Sequence, residues 1–188
     1  MKSEIDYTVI KSGRKTLALQ IKNGKLIVRA PYRVRNDDIK LFVGAHRDWI
    51  EKQLSVIEKR EEKLASVAHL SADELAKLSK KATEIIPQRV EYYANLLGVT
   101  YGRISVRTQK TRWGSCTARG DLSFNCLLML APEEVLDSVI VHELCHRKHM
   151  DHSARFYAEV EKIMPDYKER RAWLRQNGDE LMERARKR

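Results

Sequence analysis

His142-Glu143-Leu144-Cys145-His146-Arg147-Lys148-His149-Met150-Asp151-His152 places four of the chain's six histidines within eleven residues. The cluster ends an apolar run that opens at Ala131-Pro132-Glu133-Glu134 and continues through Val135, Leu136, Val139 and Ile140, so the spacing predicts a buried helix with a proline at or near its first position. Residues i and i+4 lie about 40° apart around a helix and about 6 Å apart along it, which lets the imidazoles of His142 and His146 converge on one metal ion. Glu143 projects beside that face. It can reach a water activated there without being a ligand, as H-E-x-x-H requires of a general base. The competing reading is a pair of satisfied histidines at a helix end, but two imidazoles and a carboxylate where an apolar face continues are costly to bury with nothing bound.

The third ligand is chosen by distance. On an unbroken helix His149 stands about 10 Å along the axis from His142, too far for both to meet one tetrahedral ion at about 2.1 Å. His152 follows His146 by six residues, the spacing at which a chain turns after such a helix and returns a third imidazole. Glu159, Glu161 and Asp166 are the acidic alternatives. Asp151 or Ser153 can cap the helix that follows.

Working outward, the 188 residues carry 36 Lys+Arg against 26 Asp+Glu, a net charge of +10, with 43% hydrophobic residues. That suits one medium domain, or a compact domain with a smaller N-terminal module. No run approaches the ~18 apolar residues of a membrane span and the first residues lack a secretory apolar core, so the cytoplasm is the expected location and no membrane partner is expected. Cys116, Cys126 and Cys145, three in all, do not make a disulfide scaffold. Residues 1–36 hold nine Lys/Arg against Glu4 and Asp6, a net of +7. Such a module is either a well-solvated surface or an electrostatic candidate for nucleic acid.

Residues 1–70 read as a basic β-meander plus helix, and 71–188 as the catalytic domain. Alternation at Ile5, Tyr7, Val9, then Leu17, Leu19, Ile21, then Leu26, Val28 predicts three antiparallel strands, with a two-residue hairpin at Asn23-Gly24. A helix capped by Asn36 or Asp37 follows, with a stripe through Ile39, Phe42, Val43, Trp49, Ile50, Leu54 and Ile57, fading into the charged run 58–63. Ser71-Ala-Asp-Glu74 predicts a capping box, Pro87 a kink or restart, and Leu96-Leu97-Gly98 an end. Strands are expected at Ile104–Gln109 and Leu122–Leu130, and two further helices on either side of Pro165. Between the two strands, Arg112-Trp113-Gly114-Ser115 offers a rigid aromatic wall beside open backbone, an edge for an extended substrate; the plainer alternative is a bulge with a packed tryptophan.

Lys110-Thr-Arg-Trp-Gly-Ser-Cys116, Leu122-Ser-Phe-Asn125, Leu130-Ala-Pro132, His142-Glu-Leu-Cys-His146 and His152-Ser-Ala-Arg-Phe156 together closely resemble the YgjP-like metallopeptidase family, kin of the SprT-like and wider zincin proteins. The order and spacing match from about residue 80 to 175, and the N-terminal meander and helix are also similar to that family's. The resemblance implies an α+β zincin-like core, a twisted mixed sheet with an active-site helix, and one Zn2+ bound by His142, His146 and His152 with Glu143 as base. Three functions follow as expectations. The first is a zinc-dependent peptidase acting on a peptide or protein. The second is a metal-dependent hydrolase of an anionic compound such as a nucleotide, using Arg112, Arg147 and Arg155. The third is a nucleic-acid-associated protease or binding module of SprT-like type that works through the basic N-terminal sheet.

Overall fold

The computed structural model describes residues 5–186. The chain forms two compact units with the boundary between Ser66 and Val67. The first contains β1 (Tyr7–Ser12), β2 (Ala18–Lys22), β3 (Lys25–Pro31), α1 (Asn36–Ala45) and α2 (Arg47–Ala65). Leu26, Val28 and Ala30 alternate into the core from β3 and meet Ile39, Val43 and Ile50 of the helices. The Asn23-Gly24 hairpin forms as expected, with both residues at positive φ. The meander does not form: the strand order is β1-β3-β2, with β1 parallel to β3 and β2 antiparallel to it. Alternation fixes which side chains face the core, and it leaves neighbour order open. The most apolar strand takes the middle.

The expected single helix is two. It breaks at His46, whose φ of −109° and ψ of 16° leave the helical region while its Nδ1 lies 2.8 Å from the Phe42 carbonyl oxygen. Gly44, a poor helix former two residues earlier, weakens the last turn. The N-cap is Arg35, without a side-chain capping bond, so neither Asn36 nor Asp37 caps. Trp49 leaves the predicted stripe and is 45% exposed.

The second unit contains α3 (Ala72–Leu97), β4 (Ile104–Arg107), β5 (Gly114–Cys116), β6 (Leu122–Asn125), a 3₁₀ turn (Cys126–Leu130), α4 (Glu133–Cys145), α5 (Ala154–Ile163) and α6 (Tyr167–Arg184). The capping box is present, with Glu74 N–H donating to Ser71 Oγ and Ser71 N–H to Glu74 Oε2. Pro87 does not restart α3. A proline inside a helix costs about 3 kcal/mol, whereas each aliphatic side chain fully buried contributes roughly 1.5–3 kcal/mol. Ala82, Ile86, Val90, Ala94 and Leu97 bury one continuous face of α3 and outweigh the proline.

The second sheet repeats the first in order, β4-β6-β5, with β4 parallel and β5 antiparallel to the central β6. The strand expected over 122–130 stops at Asn125 and coils, because the buried Asn125 side chain accepts from Leu127 N–H. The Asn125 amide also donates to the carbonyls of Gln109 and Arg112, at 2.9 and 3.0 Å, and its backbone N–H to that of Trp113. One residue thus fixes the 109–113 loop. On α4, Asp137 accepts from Arg89 at 2.6 Å and from the Tyr93 hydroxyl at 2.9 Å, tying α4 to α3. Among the described residues no helix is long and apolar enough to cross a membrane.

Candidate metal centre

The apolar face of α4 buries Val135, Leu136, Val139, Ile140, Val141 and Leu144, so its last turn is held rigidly against the sheet and α3. His142 projects from that turn. His146 is the C-cap, still near helical dihedrals, and the chain then turns through 146–148. That turn brings His152 back. Its Nε2 lies 3.1 Å from His142 Nε2, and the candidate ligand atoms of His142, His146 and His152 all lie within 4.8 Å of one another. Three nitrogens on one tetrahedral ion at about 2.1 Å would be about 3.4 Å apart, so this set fits a divalent cation of zinc type.

The other ring nitrogens of His142 and His146 have partners. His146 Nδ1–H donates to the His149 carbonyl at 3.1 Å, and His142 Nδ1 lies 2.7 Å from the Tyr167 hydroxyl. With a cation held on Nε2, Nδ1 of His142 would carry the proton and donate it to the phenol oxygen, a contact that sets the ring's orientation. Phe156 lies against all three imidazoles, its ring centroid 4.7–5.0 Å from each. Ser153 places it there by capping α5 through the Phe156 N–H.

His149 therefore enters through its backbone, and its ring is outside the three-histidine group. The acidic alternatives are committed elsewhere: Glu159 to Lys148 and Lys162, Glu161 to Lys168, and Asp166 to Arg170. Lys162 and Lys148 hold the Glu159 carboxyl down at about 2. His152→Ala should therefore lower metal affinity far more than His149→Ala in equilibrium dialysis. Equal losses would show that the ring of His149 ligates too.

Glu143 is buried at 6% exposure beside His142, and Gly114 of β5 lies directly over it. A Cβ at Gly114 would come within 2.6 Å of Glu143 Oε1, so only glycine lets the strand pass this close. Arg112, Gly114, Ser115 and Cys116 line a cavity of about 300 Å³ with His142, Glu143, His146 and His152. Cys116 is half-buried there, and Cys145 is buried with its thiol pushed up to about 12 by burial; among the described residues the cysteines are free thiols. Arg147 is drawn away, bonded to the carbonyls of Thr100 and Ala118, and the exposed Arg155 lines none of the cavities beside the cluster. Of the three arginines expected near an anion, Arg112 alone borders the site.

The sequence profile of the YgjP-like metallopeptidase domain matches residues 15–77 and 70–177. The chain belongs to the YgjP-like metallopeptidase family. It is accordingly a metal-dependent hydrolase. Among solved structures this YgjP-like chain is similar to two metallopeptidase zymogens. Abylysin of Pyrococcus abyssi is 23% identical with a TM-score of 0.45, over 49% of this chain and 94% of that one. Jannalysin of Methanocaldococcus jannaschii is 22% identical with a TM-score of 0.44, over 49% and 95%. No curated protein sequence matches significantly.

Burial moves two titrations in opposite directions. His142 is pushed down to about 3, by burial first and then by His146 and His152, and Glu143 is pushed up to about 7 by burial. In the metal-free protein the unfolded chain binds the extra proton at His142 between pH 6.5 and 3, so acidification there destabilises the fold. At Glu143 the folded chain binds the extra proton between pH 4.5 and 7, which opposes that loss. Below pH 4.5 the histidine contribution is unopposed. The melting temperature of metal-free protein should fall from pH 4.5 towards 3, and less steeply in His142→Leu. Identical slopes would remove His142 as the cause.

Proposed function

We propose that the chain hydrolyses peptide bonds with one zinc ion held by His142, His146 and His152 and with Glu143 as general base. The observation that carries this reading is the convergence of three imidazoles, two of them oriented from behind, beside a buried carboxylate that none of them engages. When bound, the ion supplies Lewis acidity to the scissile carbonyl and lowers the pKa of water. Glu143 takes the proton of the attacking water and hands it to the departing amine. Its burial keeps proton affinity near neutrality, and a neighbouring cation favours the ionised form that a base must have.

The substrate lies along β5. That strand pairs with β6 on one side only, so the edge at Gly114-Ser115 can accept an extended peptide through main-chain hydrogen bonds. Arg112 and Trp113, the two residues before that edge, line the adjoining cavity. Metal analysis combined with digestion of an unfolded protein tests the reading: about one zinc per chain, with cleavage stopped by a chelator and restored by zinc, is expected. Zinc-loaded protein that leaves all peptide bonds intact would overturn it.

A further inference from the structure

A second cavity, of about 400 Å³, shares Arg112, Gly114, His142 and Glu143 with the first and extends away from His146 and His152. Its apolar walls are Trp113, Val139 and Leu174, and its charges are Arg112, Arg171 and Arg175, with Glu143 as the sole carboxylate. Tyr167, Arg171, Leu174, Arg175 and Gly178 recur at helical spacing, so one face of α6 builds this wall. Gly178 allows the Trp113 indole to lie on the helix, since a Cβ there would come within 3.0 Å of the ring.

Among the described residues no carboxylate pairs with Arg112, Arg171 or Arg175, whereas Arg170 on the same helix closes on Asp166 at 2.7 Å. Arg171 reaches only the Tyr157 hydroxyl, at 3.4 Å, and lies over its ring. Guanidinium groups one turn apart at the mouth of an apolar cavity suit a carboxylate on a short aliphatic stem. They bind it through bidentate, charge-assisted hydrogen bonds that partial enclosure strengthens.

We propose that this cavity is a carboxylate-binding subsite, taking an acidic side chain or the free C-terminal carboxylate of a peptide on the leaving-amine side of the scissile bond. The inference rests on the peptidase reading above. The side follows from Glu143, which hands its proton to the departing amine and borders this cavity, while His146 and His152 do not.

The test uses zinc-loaded protein and peptides that differ only in the residue after the scissile bond. Glu should exceed Gln in kcat/KM by about tenfold to a hundredfold where a side chain fills the pocket, and a free C-terminus should exceed an amide by a similar factor where the chain end does. Arg175→Glu is the cleanest probe, because Arg175 is exposed and is not a ligand. Metal content should stay unchanged while the preference turns towards Lys. Arg171 is less clean, since it touches Tyr157, whose ring stacks on His152 at 6.3 Å. Binding is read separately, with labelled peptides on zinc-loaded Glu143→Gln, and Kd should follow the same order. A Glu preference that survives C-terminal amidation assigns the pocket to a side chain; Glu and Gln peptides cleaved alike, and both at least tenfold more slowly once amidated, assign it to the chain end. Equal cleavage of Glu and Gln peptides with no loss on C-terminal amidation, or a preference unmoved in Arg175→Glu, would overturn the subsite and leave the peptidase reading standing. Failure to cleave any peptide, with hydrolysis of a nucleoside triphosphate in its place, would overturn both.

Discussion

Glu143→Gln should keep its zinc and its fold and lose several orders of magnitude in turnover. The amide preserves the shape that fits beneath Gly114, and the residue is outside the three-histidine group, so neither packing nor ligation changes. What disappears is the proton acceptor beside the attacking water. Burial disfavours the ionised carboxylate, and that penalty is absent from the amide, so above neutral pH the metal-free variant should melt no lower than the parent. A structural role gives the opposite pattern, with stability or metal lost and activity falling in proportion. Metal content, melting temperature and kcat on one preparation separate the two, and unchanged turnover would remove Glu143 from the mechanism.

His142→Ala and His146→Ala should each abolish stoichiometric metal binding. Two imidazoles cannot close the set, and the loss leaves the Tyr167 hydroxyl or the His149 carbonyl without its ring partner. Each ring also packs on Phe156, so some loss of thermal stability accompanies truncation. A glutamine replacement at each position, which fills more of that space, guards against confusing the two effects. Metal near one per chain in both variants would show that the site lies elsewhere.

Local chemistry made much of this legible in the sequence. The capping box at Ser71–Glu74, the helix end at Gly98, the turn at Asn23-Gly24 and the break near Pro165 each depend on residues within a few positions, and each is present. The spacing of His152 from His146 gave a third imidazole, and the structure brings it to the other two. Properties set by distant partners were not legible. The places of β1 and β4 depend on which strand occupies the middle of each sheet. Gly114–Cys116 is too short to show an alternating pattern, and it becomes a strand only because β6 pairs with it. Cys126–Leu130 is an apolar run of the kind that periodicity cannot assign, and Asn125 decides it. Tyr167 comes to His142 from 25 residues away, and its only local signal is an aromatic residue opening a helix after a proline.

The placement of β6 also determines how the catalytic unit opens. Because β4 and β5 each pair with β6 and not with each other, withdrawal of that one strand frees both neighbours in a single event. Amide protons bonded across the three strands therefore belong to one cooperative opening unit, and their deuterium exchange should proceed at a common free energy. The ceiling over Glu143 is part of β5, so the cooperative opening of this sheet also uncovers the Glu143 carboxyl.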